Sequence, residues 1–152
     1  MLPADEPPDL SIVTVNYNTG DLLLNCLRSV YENTHGLRFE CIVVDNASPE
    51  CAGLADLALE FPHVRLIENP ENLGFAGGCN AGLEAARGRH ILLLNPDTTV
   101  APHALDRMAR FLDSRSEVAV LWSPLVCPDG RDQAVAGRGF PTPFGLGARA
   151  AS

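Results

Sequence analysis

Apolar residues in this chain come in short, dense runs, and each run ends in a polar, turn-forming stretch. Leu10-Ser11-Ile12-Val13-Thr14-Val15 is rich in β-branched residues and predicts a first strand. It gives way to Asn16-Tyr17-Asn18-Thr19-Gly20. From Asp21 the period changes: Leu23, Cys26, Leu27 and Val30 recur at helical spacing, with Thr19 or Asp21 expected to cap the helix. Residues 39–44 predict a second strand, ending in Asp45-Asn46-Ala47-Ser48-Pro49. A helix through Leu54, Leu57, Ala58 and Phe61 is closed by Pro62, and residues 64–68 predict a third strand.

A segment from Asn69 to Asn80 follows, with Gly74, Gly77 and Gly78 inside five residues; such a loop lets the backbone approach something closely. A helix through Leu83 and Ala86, capped by Gly88, is expected to leave it. His90-Ile91-Leu92-Leu93-Leu94 then reads as a central strand buried on both faces. Pro96 ends it, having no N–H to give a ladder and pushing Asn95 out of the helical region. A further helix is expected near 102–114, with Leu105, Met108 and Leu112 on one face, and a fifth strand at 118–122. Beyond lie Pro124, Pro128 and an Asp129-Gly130 turn.

This strict alternation predicts an α/β fold, a mostly parallel sheet with helices on both faces. The polar turns all follow strands, so one edge of the sheet should gather Asn16, Tyr17, Asp45, Asn46, Asn80 and Asp97. In open α/β sheets that edge is where ligands bind. A fixed carboxylate there, Asp97, suits a hard cation, and a hard cation suits a phosphate.

Composition narrows the field. A chain of 152 residues, 46% hydrophobic and 20% charged, is long enough for one domain with its own core. We expect a flexible leader over 1–9, a binding domain over 10–126 and an irregular tail over 127–152. The net charge of -8 disfavours nucleic acid or an anionic membrane as partner. The five cysteines are odd in number and form no CxxC pair, which signals neither a disulfide framework nor a zinc site. The acidic, Pro-rich start has no apolar signal-peptide core, and no run approaches the ~20 apolar residues of a spanning helix, so a cytoplasmic location is expected.

Taken one at a time, these features have plain alternatives. Asp97 could be a turn residue or a helix cap, and Asp45-Asn46 an ordinary turn. Tyr17 could be a half-buried aromatic. The glycine spacing G-x-x-G-G-x-x-x-G does not match the dinucleotide fingerprint GxGxxG. His35, His63, His90 and His103 are scattered and suggest no ligand set.

Together NYN, VDNAS, NLGFAGGCNAG and LLLNPD occur in this order, each at the end of a strand or the start of a helix. From about Leu10 to Arg138-Gly139-Phe140-Pro141-Thr142 the chain resembles the donor half of the inverting family 2 glycosyltransferases, most closely rhamnosyltransferase-like members. The resemblance implies a GT-A fold and binding of a nucleoside-diphosphate sugar, a UDP- or dTDP-sugar. By the same resemblance, the Asn16-Tyr17 turn would pack on the base and Asp45 would accept a hydrogen bond from it. Asn46 would belong to the same site. Gly77, Gly78 and Asn80 would lie near the ribose or diphosphate. Asn95-Pro96-Asp97 takes the place of an Asp-x-Asp motif: Asp97 would hold Mg²⁺ or Mn²⁺, and Asn95 would reach the ribose without adding charge.

The family's acceptor half, which supplies the general base, lies C-terminal to Ser152, and neither Asp129 nor Asp132 stands at its motif position. The chain therefore resembles a truncated enzyme acting on an acceptor saccharide or lipid-linked glycan, peripheral at the inner membrane face. The alternative is a non-catalytic nucleotide-binding or interaction module that kept the fold. Phe140 and Phe144 in the tail point to a homo-oligomer or a poorly ordered C-terminus.

Overall fold

The structure, a computed structural model, describes residues 6–49, 54–127, 129–131 and 133. These fall into two compact units that divide between Ser116 and Glu117. The first runs β1 (Leu10–Asn16), α1 (Asp21–Asn33), β2 (Phe39–Asp45), α2 (Leu54–Glu60), β3 (Arg65–Glu68), α3 (Gly74–Ala85), β4 (His90–Leu93) and α4 (Ala104–Asp113). All three strand pairings are parallel, and the order across the sheet is β3-β2-β1-β4. Every strand therefore ends at the same edge.

The period of two along β1 and β2 sends alternate side chains to opposite faces. Leu10, Ile12, Cys41 and Val43 join the larger core, which includes Leu23, Leu24, Leu27 and Val30 of α1, Leu54 and Leu57 of α2, and Leu105 of α4. Val13, Ile42 and Val44 face the other way, where Ala81 and Ala85 of α3 pack on them. Burying each large side chain such as Ile12 or Leu27 contributes roughly 1.5–3 kcal/mol. The edge opposite the strand ends is closed by a polar cluster. There Ser11 Oγ donates to Glu40 Oε1 (2.7 Å) and accepts from the Gly88 N–H (2.8 Å), while the Arg87 N–H donates to Glu40 (2.9 Å).

Several expectations need correcting. β4 is not central among the described residues. It is an edge strand, and Ile91 and Leu93 are each 48% exposed because α3 covers β1 and β2 on that face rather than β4. The true centre is β1 and β2, whose runs are buried nearly throughout. The expected strand at 118–122 joins no ladder among the described residues. Val120 and Trp122 are exposed there, and β-propensity without a pairing partner does not make a strand. In that second unit the Asp129-Gly130 turn does form: the Gly130 N–H donates to Cys127 O (2.8 Å), and the Cys127 N–H donates to Arg131 O (2.8 Å).

The glycine run is not a loop. α3 begins at Gly74 and contains Gly77, Gly78 and Gly82, and its C-cap is Ala86 rather than Gly88. α1 is capped at Gly20 with no side-chain cap bond. Pro8 and Asp9, expected in a loose leader, are tied down: Pro8 O accepts from the Arg89 N–H (3.0 Å), and Asp9 Oδ2 accepts from the Arg38 N–H (3.0 Å). Arg138–Thr142, Phe140, Phe144 and Asp132 lie outside the described residues.

Glycine inside a helix costs about 0.5–1 kcal/mol relative to alanine. α3 tolerates it because its backbone rests directly on β1. A Cβ on Gly82 would fall 2.3 Å from Val13 Cγ1, and one on Gly78 would fall 2.7 Å from Val15 Cγ1. Gly82→Ala is thus expected to lower the unfolding free energy by roughly 1–3 kcal/mol through overpacking, against the helix propensity that favours alanine. In a Val13→Ala background that loss should shrink, a coupling of about 0.5–3 kcal/mol in urea unfolding. Equal losses in the two backgrounds would exclude the Val13 contact as the cause.

Candidate donor-binding edge

The parallel register sets Asn16, the last residue of β1, beside Asp45, the last residue of β2. Asn16 Nδ2 donates to Asp45 Oδ1 at 2.6 Å and to Ser48 Oγ at 3.2 Å. Asn16 Oδ1 accepts from the Thr19 N–H (3.3 Å) and hydroxyl. Ser48 completes the knot: its hydroxyl donates to Asp45 Oδ1 (2.6 Å), its N–H donates to Asp45 Oδ2 (3.0 Å), and its Oγ accepts from the Asn18 N–H (2.9 Å). Two residues of these turns, Asn18 (φ 55°) and Ala47 (φ 60°), hold left-handed backbone. Asparagine tolerates that region, but for alanine it costs roughly 1–2 kcal/mol, which the surrounding bonds offset.

A carboxamide offers two N–H groups and two acceptor sites, and a carboxylate about four acceptor sites. Asn16 uses all four of its own internally. Asn46 does the same, donating to Asn72 Oδ1 (2.7 Å) and Gly74 O (3.1 Å) and accepting from Asn69 Nδ2 (3.0 Å) and the Leu73 N–H (3.1 Å). Asp45 accepts three hydrogen bonds, two of them on Oδ1, and keeps capacity on Oδ2. All three residues are at most 5% exposed.

Tyr17 follows β1 and is 48% exposed. Asn95 and Asp97 are exposed just past β4, in a turn where the Thr98 N–H donates to Asn95 O (3.1 Å). Cys26 of α1 abuts this turn, its thiol donating to Asn95 O at 3.6 Å. Burial pushes that thiol up to about 11; the Thr98 N–H opposes the shift and the Asp97 carboxylate adds to it. Cys26 is therefore a protonated packing residue rather than a nucleophile.

The close approach made by Gly78 is to Val15. Asn80 is exposed within α3. So the edge gathers Asn16, Asp45 and Asn46 by direct hydrogen bonds, and Tyr17, Asn95 and Asp97 by strand direction. Sequence reasoning missed Ser48, Thr19, Asn69 and Asn72 as members of the network. The Asp45-x-x-Ser48 spacing, which suits a carboxylate accepting from the N–H three residues on, was a usable signal for Ser48.

No group of three or more His, Cys, Asp or Glu side chains able to hold a metal occurs among the described residues. Asp97 alone still fits Mg²⁺ or Mn²⁺ in one circumstance. Mg²⁺ binds through one or two carboxylates plus substrate phosphates and retained waters, so the ligand itself would supply most of the oxygens. A shallow cleft of about 350 Å³, lined by Arg28, Tyr31, Glu60 and Phe61 among others, contains none of these candidate residues.

The sequence matches the profile of the family described as Glycosyl transferase family 2 over residues 11–148. The chain belongs to that family. It is 37% identical to the succinoglycan biosynthesis protein ExoO of Rhizobium meliloti, over 84% of this chain and 36% of that protein. It is 36% identical to the uncharacterized protein MT1568 of Mycobacterium tuberculosis, over 77% of this chain and 36% of that one. The chain thus spans about a third of the length of these relatives. Among solved structures it resembles the mannosyltransferase PcManGT of Pyrobaculum calidifontis in complex with GDP-Man and Mn²⁺, with TM-score 0.63 and 24% identity over 71% of this chain and 33% of that one. It also resembles TarS 1–349 of S. aureus in complex with UDP-GlcNAc, with TM-score 0.67 and 20% identity over 88% and 37%. The fold of this family member is accordingly GT-A.

The 2.6 Å Asn16–Asp45 contact makes a sharp electrostatic test. Asn16→Asp places a second carboxylate against a buried one, and two such groups cannot both ionise easily. The pair then binds a proton more tightly folded than unfolded. Its contribution is intact at acid pH and lost as pH rises through the raised folded value, by about 1.4 kcal/mol for every tenfold gain in proton affinity on folding. The destabilisation of the variant relative to the parent chain should be small near pH 4 and large at pH 7.5 in urea unfolding. A pH-independent difference would show that the two side chains are not in contact.

Proposed function

We propose that this chain is the donor-binding part of a glycosyltransferase that transfers a hexosyl or rhamnosyl group from a UDP- or dTDP-sugar, with inversion, to an acceptor hydroxyl. One observation carries the reading. At the ligand-binding edge of a GT-A sheet, a buried carboxylate, Asp45, is held rigidly by Asn16 and Ser48 yet retains acceptor capacity on Oδ2. That group suits a base N–H. Tyr17, half-exposed on the neighbouring turn, suits the face of the base. Asn95 is assigned to the ribose, and Asn80 with Gly77 and Gly78 to the ribose or diphosphate side. Asp97 would hold Mg²⁺ or Mn²⁺ together with the diphosphate, and the cation when bound neutralises charge developing on the departing nucleoside diphosphate.

The general base that deprotonates the acceptor is assigned to a part of the protein outside the described residues. We place the donor domain at 10–126, with 127–152 opening an acceptor half. The name of the Rhizobium relative supports a saccharide or lipid-linked glycan acceptor in cell-surface polysaccharide biosynthesis. No helix among the described residues is long and apolar enough to cross a membrane. A cytoplasmic location, peripheral at the inner membrane face, is part of the proposal. A homo-oligomer is the expected state of the isolated chain, since Val120, Trp122 and Val126 are exposed apolar groups in its second unit. A second reading, a binding module without turnover, draws on Asn95 standing where a first carboxylate would add charge.

Calorimetry with UDP, dTDP and GDP, with and without Mn²⁺, tests the assignment. Asp97→Ala should abolish the metal-dependent part of the affinity and leave the rest. Asp45→Ala should weaken binding by about 10- to 100-fold, the loss of a hydrogen bond involving a charged group, without changing metal dependence. Binding that is indifferent to EDTA and to Asp97→Ala would remove the metal role. With the base assigned to the acceptor half, the isolated chain is expected to transfer sugar at least ~10²–10⁴-fold more slowly than a complete enzyme. Efficient transfer by the 152-residue chain would refute the division of labour.

A further inference from the structure

α3 is a poor helix by its own sequence. Four of its twelve residues are glycine, and it has no side-chain N-cap of the usual kind. Its first five residues nevertheless include Gly77 and Gly78, two of the residues assigned to the donor. What starts the helix at Gly74 comes from another element. Asn46, 2% exposed at the end of β2, reaches across to the 69–74 segment with all four of its carboxamide sites. One N–H goes to Asn72 Oδ1 (2.7 Å), which in turn accepts from the Gly74 N–H (2.9 Å). The other N–H goes to Gly74 O (3.1 Å), and the carbonyl accepts from the Leu73 N–H (3.1 Å) and Asn69 Nδ2 (3.0 Å). Its backbone N–H is bound to Asn16 O at 2.8 Å, so the clamp is anchored to the same strand end as Asp45.

We propose that Asn46 is a positioning residue: it makes no contact with the donor, and instead sets where α3 begins and so where Gly77 and Gly78 stand along the edge. The inference rests on the donor-binding reading above. Satisfiability carries it, because a side chain whose two donors and two acceptors are all engaged has nothing left to offer a ligand. The arrangement also explains why an amide is needed rather than the isosteric carboxylate. Asp at this position would keep the two acceptor roles, but would turn lone pairs toward Asn72 Oδ1 and Gly74 O, where two donors are required.

Hydrogen exchange on the full chain tests the clamp without any ligand. Asn46→Asp should speed exchange of the amides of residues 74–79 by roughly tenfold to a hundredfold while leaving those of residues 12–15 unchanged. Asn72→Ala, a change at an exposed position that removes the facing acceptor, should do the same to a smaller degree. Asn69→Ala should do little, since the bonds to residues 72–74 remain. Unchanged exchange at 74–79, or a uniform rise across the chain, overturns the clamp.

Calorimetry then tests its use, with uridine and with UDP plus Mn²⁺ as probes. Asn46→Asp should leave uridine affinity in place and shrink the extra affinity that the diphosphate confers by at least about tenfold. Faster exchange at 74–79 with UDP affinity intact overturns the positioning role while the donor reading stands. A parent chain that binds none of UDP, dTDP and GDP overturns the donor reading, and the exchange result still decides the clamp.

Discussion

The parallel pairing of β1 with β2, in the register that seats Asn16 beside Asp45, is the constraint on which the rest of this structure depends. A slip of β2 by one residue would exchange Val43 and Val44 between the two cores. It would also separate the Asn16 amide from the Asp45 carboxylate. Both strands are buried nearly throughout, and the polar contact at the strand ends follows from their register. The site is in this sense a by-product of a well-specified core. Three polar side chains can sit at most 5% exposed only because the core has already fixed the backbones that carry them.

Two kinds of helix pack on this sheet, and they obey different rules. α1 is amphipathic, and buries Leu23, Leu27 and Val30 against the larger core. α3 buries backbone: its glycines let it lie against Val13 and Val15 more closely than side chains would allow. That closeness brings residues 69–74 within reach of Asn46. Local propensity disfavours α3, and tertiary contact overrules it at a site proposed to bind a ligand. Natural sequences place such conflicts between local and global preference at functional positions more often than elsewhere.

The division of labour within the edge follows from hydrogen-bond capacity. Asn16 and Asn46 have identical side chains, both are buried, and both are saturated. Asp45 lies between them in the network and is not saturated. Composition alone would have scored all three as equivalent polar turn residues, and the family resemblance nominated all three as donor contacts.

Much of this was legible in the sequence. Period-two and period-3.6 patterns located β1, α1, β2, β3 and α4, and their alternation was enough for a parallel sheet with polar strand ends at one edge, because each crossover must return the chain in the same direction. The motifs NYN, VDNAS and LLLNPD were enough for the family. Long-range facts were not legible. A run of leucines at 90–94 reads the same in a central strand as at an edge, and only the sheet order exposes Ile91 and Leu93. Residues 118–122 have strand composition, but a ladder needs a partner that no local pattern reveals. Glycines at 74, 77 and 78 suggest a loop, and only the flat approach to β1 makes them a helix. Whether an asparagine binds a ligand or braces a neighbour depends on which donors and acceptors meet it from residues 23 to 32 positions away, as at Asn46 and Asn16. Periodicity and composition are local quantities, whereas hydrogen-bond satisfaction is settled only when distant segments meet.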